Sequence, residues 1–134
     1  MNRSTLQHSV TLGNRLGHVF VATSGEGGVP HVTTADNIHL MSENTVAVSG
    51  WFCPGTTLNL NTNRHVSLVV WDPYTDMGYQ LIGQVRQVRD LAILDGYSPD
   101  TDHLPAIPQV DRELTIRVDH IFSFSRTPHT DQEE

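Results

Sequence analysis

Residues 112–124 alternate almost without a break. Leu114, Ile116, Val118, His120, Phe122 and Phe124 fall on one side; Glu113, Thr115, Arg117, Asp119 and Ser123 fall on the other, with Ile121 as the exception. Successive side chains of a strand point to opposite faces, so this run reads as a strand with one apolar face. That face must be covered, either by a barrel interior or by a subunit interface. Further β-rich runs occupy 18–23, 30–41, 45–49, 65–72 and 78–88. Asp36-Asn37 interrupts the second of these and predicts a bulge or bend. The glycines of 24–28 and the Asp-Pro of 72–73 mark turns. Six short strands with brief turns predict a small closed or partly closed antiparallel barrel, mainly β and in part α+β.

Helical signals are few. Leu6, Val10 and Leu16 fit a short helix over 4–16, which Gly13 and Gly17 would end. Residues 56–63 read as a second short helix capped by Thr56 or Gly55. Residues 89–94 are expected to start a helical turn. Three of the seven prolines and four aspartates fall in 95–111, which predicts a long surface loop acting as a lid or a dimer contact. The chain of 134 residues is expected to form a single domain over 1–134, with 1–5 and 126–134 frayed.

Charge and composition exclude several function classes. All eight basic residues are arginine, so lysine-dependent Schiff-base and Walker chemistry is ruled out. A net charge of −7 with scattered arginines argues against binding nucleic acid or an anionic membrane. No apolar run reaches the roughly 20 residues that span a bilayer, and no signal-peptide pattern opens the chain, so a cytoplasmic location is the expectation. Cys53 is the only cysteine, which excludes an intramolecular disulfide and any multi-cysteine metal site. The eight histidines form no ligand-spaced cluster, so no metal is expected. His31 and His120 are the histidines closest to a functional role.

The segment 49–63 carries the chemistry. Gly50 and Gly55 allow close approach of backbone to a ligand. Thr56 and Thr57 stand at a helix start, where amides and hydroxyls can hold an anion, although an ordinary helix cap has the same appearance. Trp51 and Phe52 can wall off a flat ring or fill a core.

In order and spacing, these features resemble the FMN-binding split β-barrel family related to pyridoxamine 5′-phosphate oxidase. The resemblance runs over about 16–90. It rests on the strand H-V-F-V-A-T at 18–23, then Gly28-Val29-Pro30 leading into Val32-Thr33-Thr34-Ala35. The loop Gly55-Thr56-Thr57-Leu58-Asn59-Leu60 follows, then Asn63-Arg64-His65-Val66-Ser67-Leu68 and Leu81-Ile82-Gly83-Gln84-Val85. The last strand, 112–124, fits the family's last barrel strand. The resemblance implies a six-stranded antiparallel split β-barrel with a few short helices, most simply a homodimer binding FMN. It implies that Thr33, Thr34, Ala35 and Asp36 line the flavin ring edge. Ser49, Gly50 and Trp51 would lie near the ring or ribityl chain, and Gly55, Thr56, Thr57 and Asn59 at the phosphate. Gly55 replaces the family's usual lysine, so the threonine hydroxyls, helix amides and an arginine such as Arg64 or one from a partner subunit are the expected substitutes. No catalytic side chain is assigned, because the flavin carries the chemistry. The implied activity is flavin-dependent oxidoreduction with NAD(P)H or another small electron donor or acceptor. The alternatives are a non-catalytic flavin carrier or stress module, and a deazaflavin- or haem-binding relative.

Overall fold

The computed structural model describes residues 1–94 and 109–134, in which seven strands form one antiparallel sheet flanked by two helices. The chain runs α1 (Arg3–Leu16), β1 (Val19–Ser24), β2 (Pro30–Ala35), β3 (Asn37–Leu40), β4 (Thr45–Trp51), α2 (Pro54–Thr62), β5 (His65–Asp72), β6 (Met77–Leu94) and β7 (Gln109–Ser123). Across the sheet the order is β2-β1-β5-β6-β7-β4-β3. β2 and β3 are thus the two ends of the hydrogen-bonded order, although only Asp36 separates them in the chain. The sheet must curl onto itself for both statements to hold, and the result is a split β-barrel. Its seam lies at the kink, where the Asp36 amide donates to the Ser49 carbonyl at 2.8 Å. A Cβ on Gly50 would stand 3.0 Å from Ala35 Cα and 3.2 Å from the Asp36 nitrogen. Glycine at position 50 therefore permits the closure. The run 30–41, expected as one bent strand, is two strands at opposite ends of the sheet, so the count is seven and not six.

The barrel interior takes one face of each strand. Val19 and Val21, Val46 and Val48, Leu68 and Val70, Leu81, Leu114 and Ile116 are all essentially fully buried. Each such side chain contributes about 1.5–3 kcal/mol relative to exposure. α1 packs on β3 and β5 through Leu6, Val10 and Gly13, which share one helix face. Asn2 caps α1 by accepting from the Ser4 and Thr5 amides, and Gly17 ends it at φ 78°. Gly13 does not end the helix. It lies against Ile38 and Val70, where an added Cβ would meet Ile38 Cγ2 at 2.7 Å.

Two departures from simple alternation have physical causes. In β7, Val118 and Ile121 are buried while His120 is exposed. The register shifts between Ile82↔His120 and Gly83↔Val118, so Asp119 is an extra residue in the ladder. This bulge reverses the facing of every later residue, which explains Ile121 and removes His120 from the apolar face. His120 instead pairs with Glu133 at 2.8 Å. The second departure is β6, which continues to Leu94 where a helical turn was expected. Residues 86–92 are exposed on both faces, so no apolar period marks them as strand. Cross-strand pairs hold them there: Arg89 opposite Glu113 and Asp90 opposite Arg112. The expected loop at 95–111 lies outside the described residues except for 109–111, which open β7.

Backbone hydrogen bonds link the chain ends to the sheet and to each other. The Glu134 amide donates to Ile121, the Asn2 amide to Glu134, and the Arg126 and Thr127 amides to Asp76. Asp72, buried at the end of β5, accepts from the Tyr74 amide at 2.9 Å and from Arg15 at 3.1 Å. It thereby ties the last turn of α1 to the β5–β6 turn.

This geometry predicts the effect of three substitutions on stability. A Cβ at Gly83 would fall 2.1 Å from the Arg117 carbonyl oxygen, backbone that cannot swing aside. Gly83→Ala should cost about 1–3 kcal/mol, read from the urea midpoint. Gly27→Ala, with open space around it, should stay within about 0.5 kcal/mol. For Asp72, the Tyr74 amide bond first, and then Arg15, hold its carboxyl below the usual carboxylate range against the opposing effect of burial. A lowered folded-state value means the contribution is full above the unfolded value of about 4 and is lost as pH falls through the folded one. Asp72→Asn should therefore flatten the loss of stability below about pH 4. An unchanged acid limb in urea melts between pH 7 and 3 would refute this assignment.

Candidate functional site

α2 starts on Pro54, whose missing N–H costs nothing at the first helical position. Cys53 is the N-cap residue and makes no side-chain capping bond. Thr56 is therefore not the cap but sits one turn in. Its amide and that of Thr57 both donate to the Cys53 carbonyl, at 3.1 and 3.4 Å. With Pro54 lacking a donor, the helix start offers fewer open amides than its sequence promised. An anion at this end of the helix has to be held by side chains.

Those side chains line a cleft of about 330 Å³ between α2 and the far ends of β6 and β7. Phe52, Leu60 and Leu114 form its apolar wall, and Thr57, Arg64, Asp90 and Arg112 its polar one. The volume is at the small end of ligand pockets, which run about 300–1,000 Å³. Arg112 is the central group. One guanidinium nitrogen donates to Thr57 Oγ1 at 2.7 Å and Nε donates to Asp90 Oδ1 at 2.8 Å. The Arg112 side chain is only 22% exposed, so its charge is held rigidly at the cleft wall.

The residues expected to bind a cofactor divide into three groups. Thr56 and Thr57 line the cleft. Ala35, Asp36, Ser49 and Gly50 meet at the barrel seam. Thr33 and Gly55 lie between, at the contact of β2 with the start of α2: Thr33 Oγ1 is 3.3 Å from Cys53 Sγ, and His31 Nδ1 is 3.3 Å from Thr56 Oγ1. A Cβ on Gly55 would meet the His31 ring at 3.0 Å, so the imidazole occupies the space beside the missing lysine. Thr33 and Ala35 are buried, whereas Thr34 and Asp36 are exposed on the opposite face of the chain, since side chains alternate along β2. Trp51 is exposed at the end of β4, opposite Asp111. Asn59 does not line the cleft. Its amide donates to Thr23 Oγ1 at 3.0 Å and fastens α2 to β1.

Arg112 and Asp90 are absent from the set drawn from sequence. The signal for Arg112 was its place on β7 opposite Gly50, a register that only sheet pairing reveals. Asp90 was hidden because its segment read as helical. Among the described residues no group of three or more His, Cys, Asp or Glu is placed to hold a metal ion. Nor is any helix among them long and apolar enough to cross a membrane.

The comparisons agree with this architecture. The sequence model of the pyridoxamine 5′-phosphate oxidase family matches residues 10–118. No curated protein sequence matches the chain. Among solved structures, the fold is similar to a Clostridium acetobutylicum protein related to general stress protein 26 of Bacillus subtilis, of the pyridoxinephosphate oxidase family. That likeness has a TM-score of 0.65 and 15% identity, over 99% of this chain and 96% of the other. An FMN-binding protein from Syntrophomonas wolfei gives 0.62 and 14%, over 96% and 91%. An F420 reductase gives 0.54 and 15%, over 83% and 93%. The family match covers most of the chain, and the split barrel with its α2 loop is the fold these proteins share: this chain belongs to the pyridoxamine 5′-phosphate oxidase family.

Proposed function

We propose that the protein binds FMN, with the phosphate in the α2 cleft and the ring lying toward the barrel seam, and acts as a flavin-dependent oxidoreductase. The observation that carries this reading is Arg112, fixed at the cleft wall by Thr57 and Asp90 beside a second arginine, Arg64. A phosphate needs charged donors in a fixed geometry, and arginine supplies them where the lysine is missing. The residues fit the group. Thr57, Arg112 and Arg64 would hold the phosphate, with Thr56 behind them. The backbone of 33–36 and of 49–51 would face the ring, and the apolar wall of Phe52 and Leu114 would exclude water from the join. The flavin, when bound, supplies hydride or electron transfer with a donor such as NAD(P)H. The chain's own contribution is placement and local charge, so no side chain need serve as acid or base.

A cleft this size holds the phosphate end of FMN more readily than the whole molecule. The exposed Trp51 next to the seam, with Val29 and Val32 at the start of β2, would then pack against a second copy of the chain and complete the ring site. A deazaflavin is the second reading, favoured by the fold likeness to the F420 reductase. A flavin carrier without a substrate differs from a reductase only in failing to oxidise NAD(P)H in the presence of an acceptor.

The test is the visible spectrum of the purified protein after adding FMN and gel filtration, followed by titration of Arg112→Gln. Retained flavin absorbance is expected. The variant should bind FMN more weakly by about 1.5–3 kcal/mol, the worth of a hydrogen bond to a charged group. A protein that stays colourless, or a variant with the wild-type affinity, overturns the placement.

A further inference from the structure

Among the described residues, Asp90 is the one carboxylate on the wall of the cleft. It stands on the exposed stretch of β6, directly opposite Arg112 in the ladder, and accepts from Arg112 Nε at 2.8 Å. Its side chain is 51% exposed, so it faces the water of the cleft and is not sealed away beneath the arginine. Among the described residues, the charges lining the cleft are Arg64 and Arg112 against Asp90. Two positive and one negative leave a single positive charge. A doubly charged terminal phosphate is attracted twice as strongly by the arginines, and repelled twice as strongly by the aspartate, as a singly charged group is, because Coulomb energy is linear in charge.

We propose that Asp90 is a specificity-determining residue: by offsetting one of the two arginines it reduces, without reversing, the advantage that a doubly charged terminal phosphate monoester holds over a singly charged phosphodiester in this cleft. Asp90 does this while orienting Arg112, whose remaining guanidinium nitrogens keep their reach toward Thr57 and the ligand. This inference rests on the reading of the cleft as the phosphate site.

The test compares two probes, FMN and riboflavin 5′-methylphosphate, by fluorescence titration at pH 8 and low ionic strength, where screening is weakest. The proteins are the wild type, Asp90→Asn and Arg112→Gln. Asparagine keeps the shape of the side chain and an acceptor for Arg112. Wild-type protein should bind FMN more tightly than the methyl ester, but by a smaller factor than the Asp90→Asn variant does. Asp90→Asn should tighten FMN about tenfold and the ester about threefold, because the gain in log affinity scales with ligand charge. Arg112→Gln should weaken both. If Asp90→Asn changes both ligands equally, leaves them unchanged or weakens them, while Arg112→Gln still weakens binding, the role of Asp90 is refuted and the phosphate site stands. If Arg112→Gln leaves both affinities unchanged, the phosphate does not occupy this cleft and the inference falls with that reading.

Discussion

The barrel depends on one close approach. At Asp36 the chain leaves one end of the sheet and joins the other, and it can do so only because the backbone of 35–36 comes within van der Waals distance of Gly50. The hydrogen bond from the Asp36 amide to Ser49 closes the ladder at that point. With β2 and β3 joined through the kink, the inward faces of seven strands enclose one core. The same crossing fixes the exit of β4, and therefore where Trp51, Phe52 and the start of α2 emerge. The candidate site is thus a by-product of closure: the seam sets where β4 ends, and the cleft is built on the next element of the chain.

Arg112 plays the corresponding part on the cleft side. It lies opposite Gly50 on one neighbouring strand and Asp90 on the other, and it reaches Thr57 on the helix. Three elements distant in sequence are connected through one guanidinium. The cross-strand pairs Arg89–Glu113 and Asp90–Arg112 also hold the far ends of β6 and β7 in register where no apolar face does so. Charge does the structural work in this stretch, and it is the same charge that lines the cleft. Exposed pairs of this kind contribute little to stability by themselves, about 0–1 kcal/mol. Their worth here lies in where they set a functional group.

Much of the fold was legible because period-2 alternation reports burial directly. β1, β4, β5 and the first half of β6 fall where the apolar pattern placed them. The family followed from the order of those strands around the Gly-Thr-Thr loop. The pattern failed wherever burial did not follow alternation. The far half of β6 is exposed on both faces and looked helical. The bulge at Asp119 made Ile121 an anomaly and His120 an apparent core residue. The docked termini rest on backbone hydrogen bonds, which leave no trace in side-chain pattern. In the site, Thr56 and Thr57 were found because they are local to the loop. Arg112 and Asp90 were missed because they reach it only through strand pairing.

What the sequence by itself determined is the set of apolar faces, the positions of the turns, the absence of lysine and the identity of the loop that starts α2. These are properties of neighbouring residues, set by local sterics and by which side chains favour water. What the tertiary structure alone decided is which arginine lines the α2 cleft, that a carboxylate shares its charge, and that Asn59 fastens the helix while His31 fills the space beside Gly55. Those outcomes depend on register across the sheet. A shift of one residue would carry Arg112 to the opposite face, and which residues of β4 and β6 it meets is settled only by pairing across the sheet.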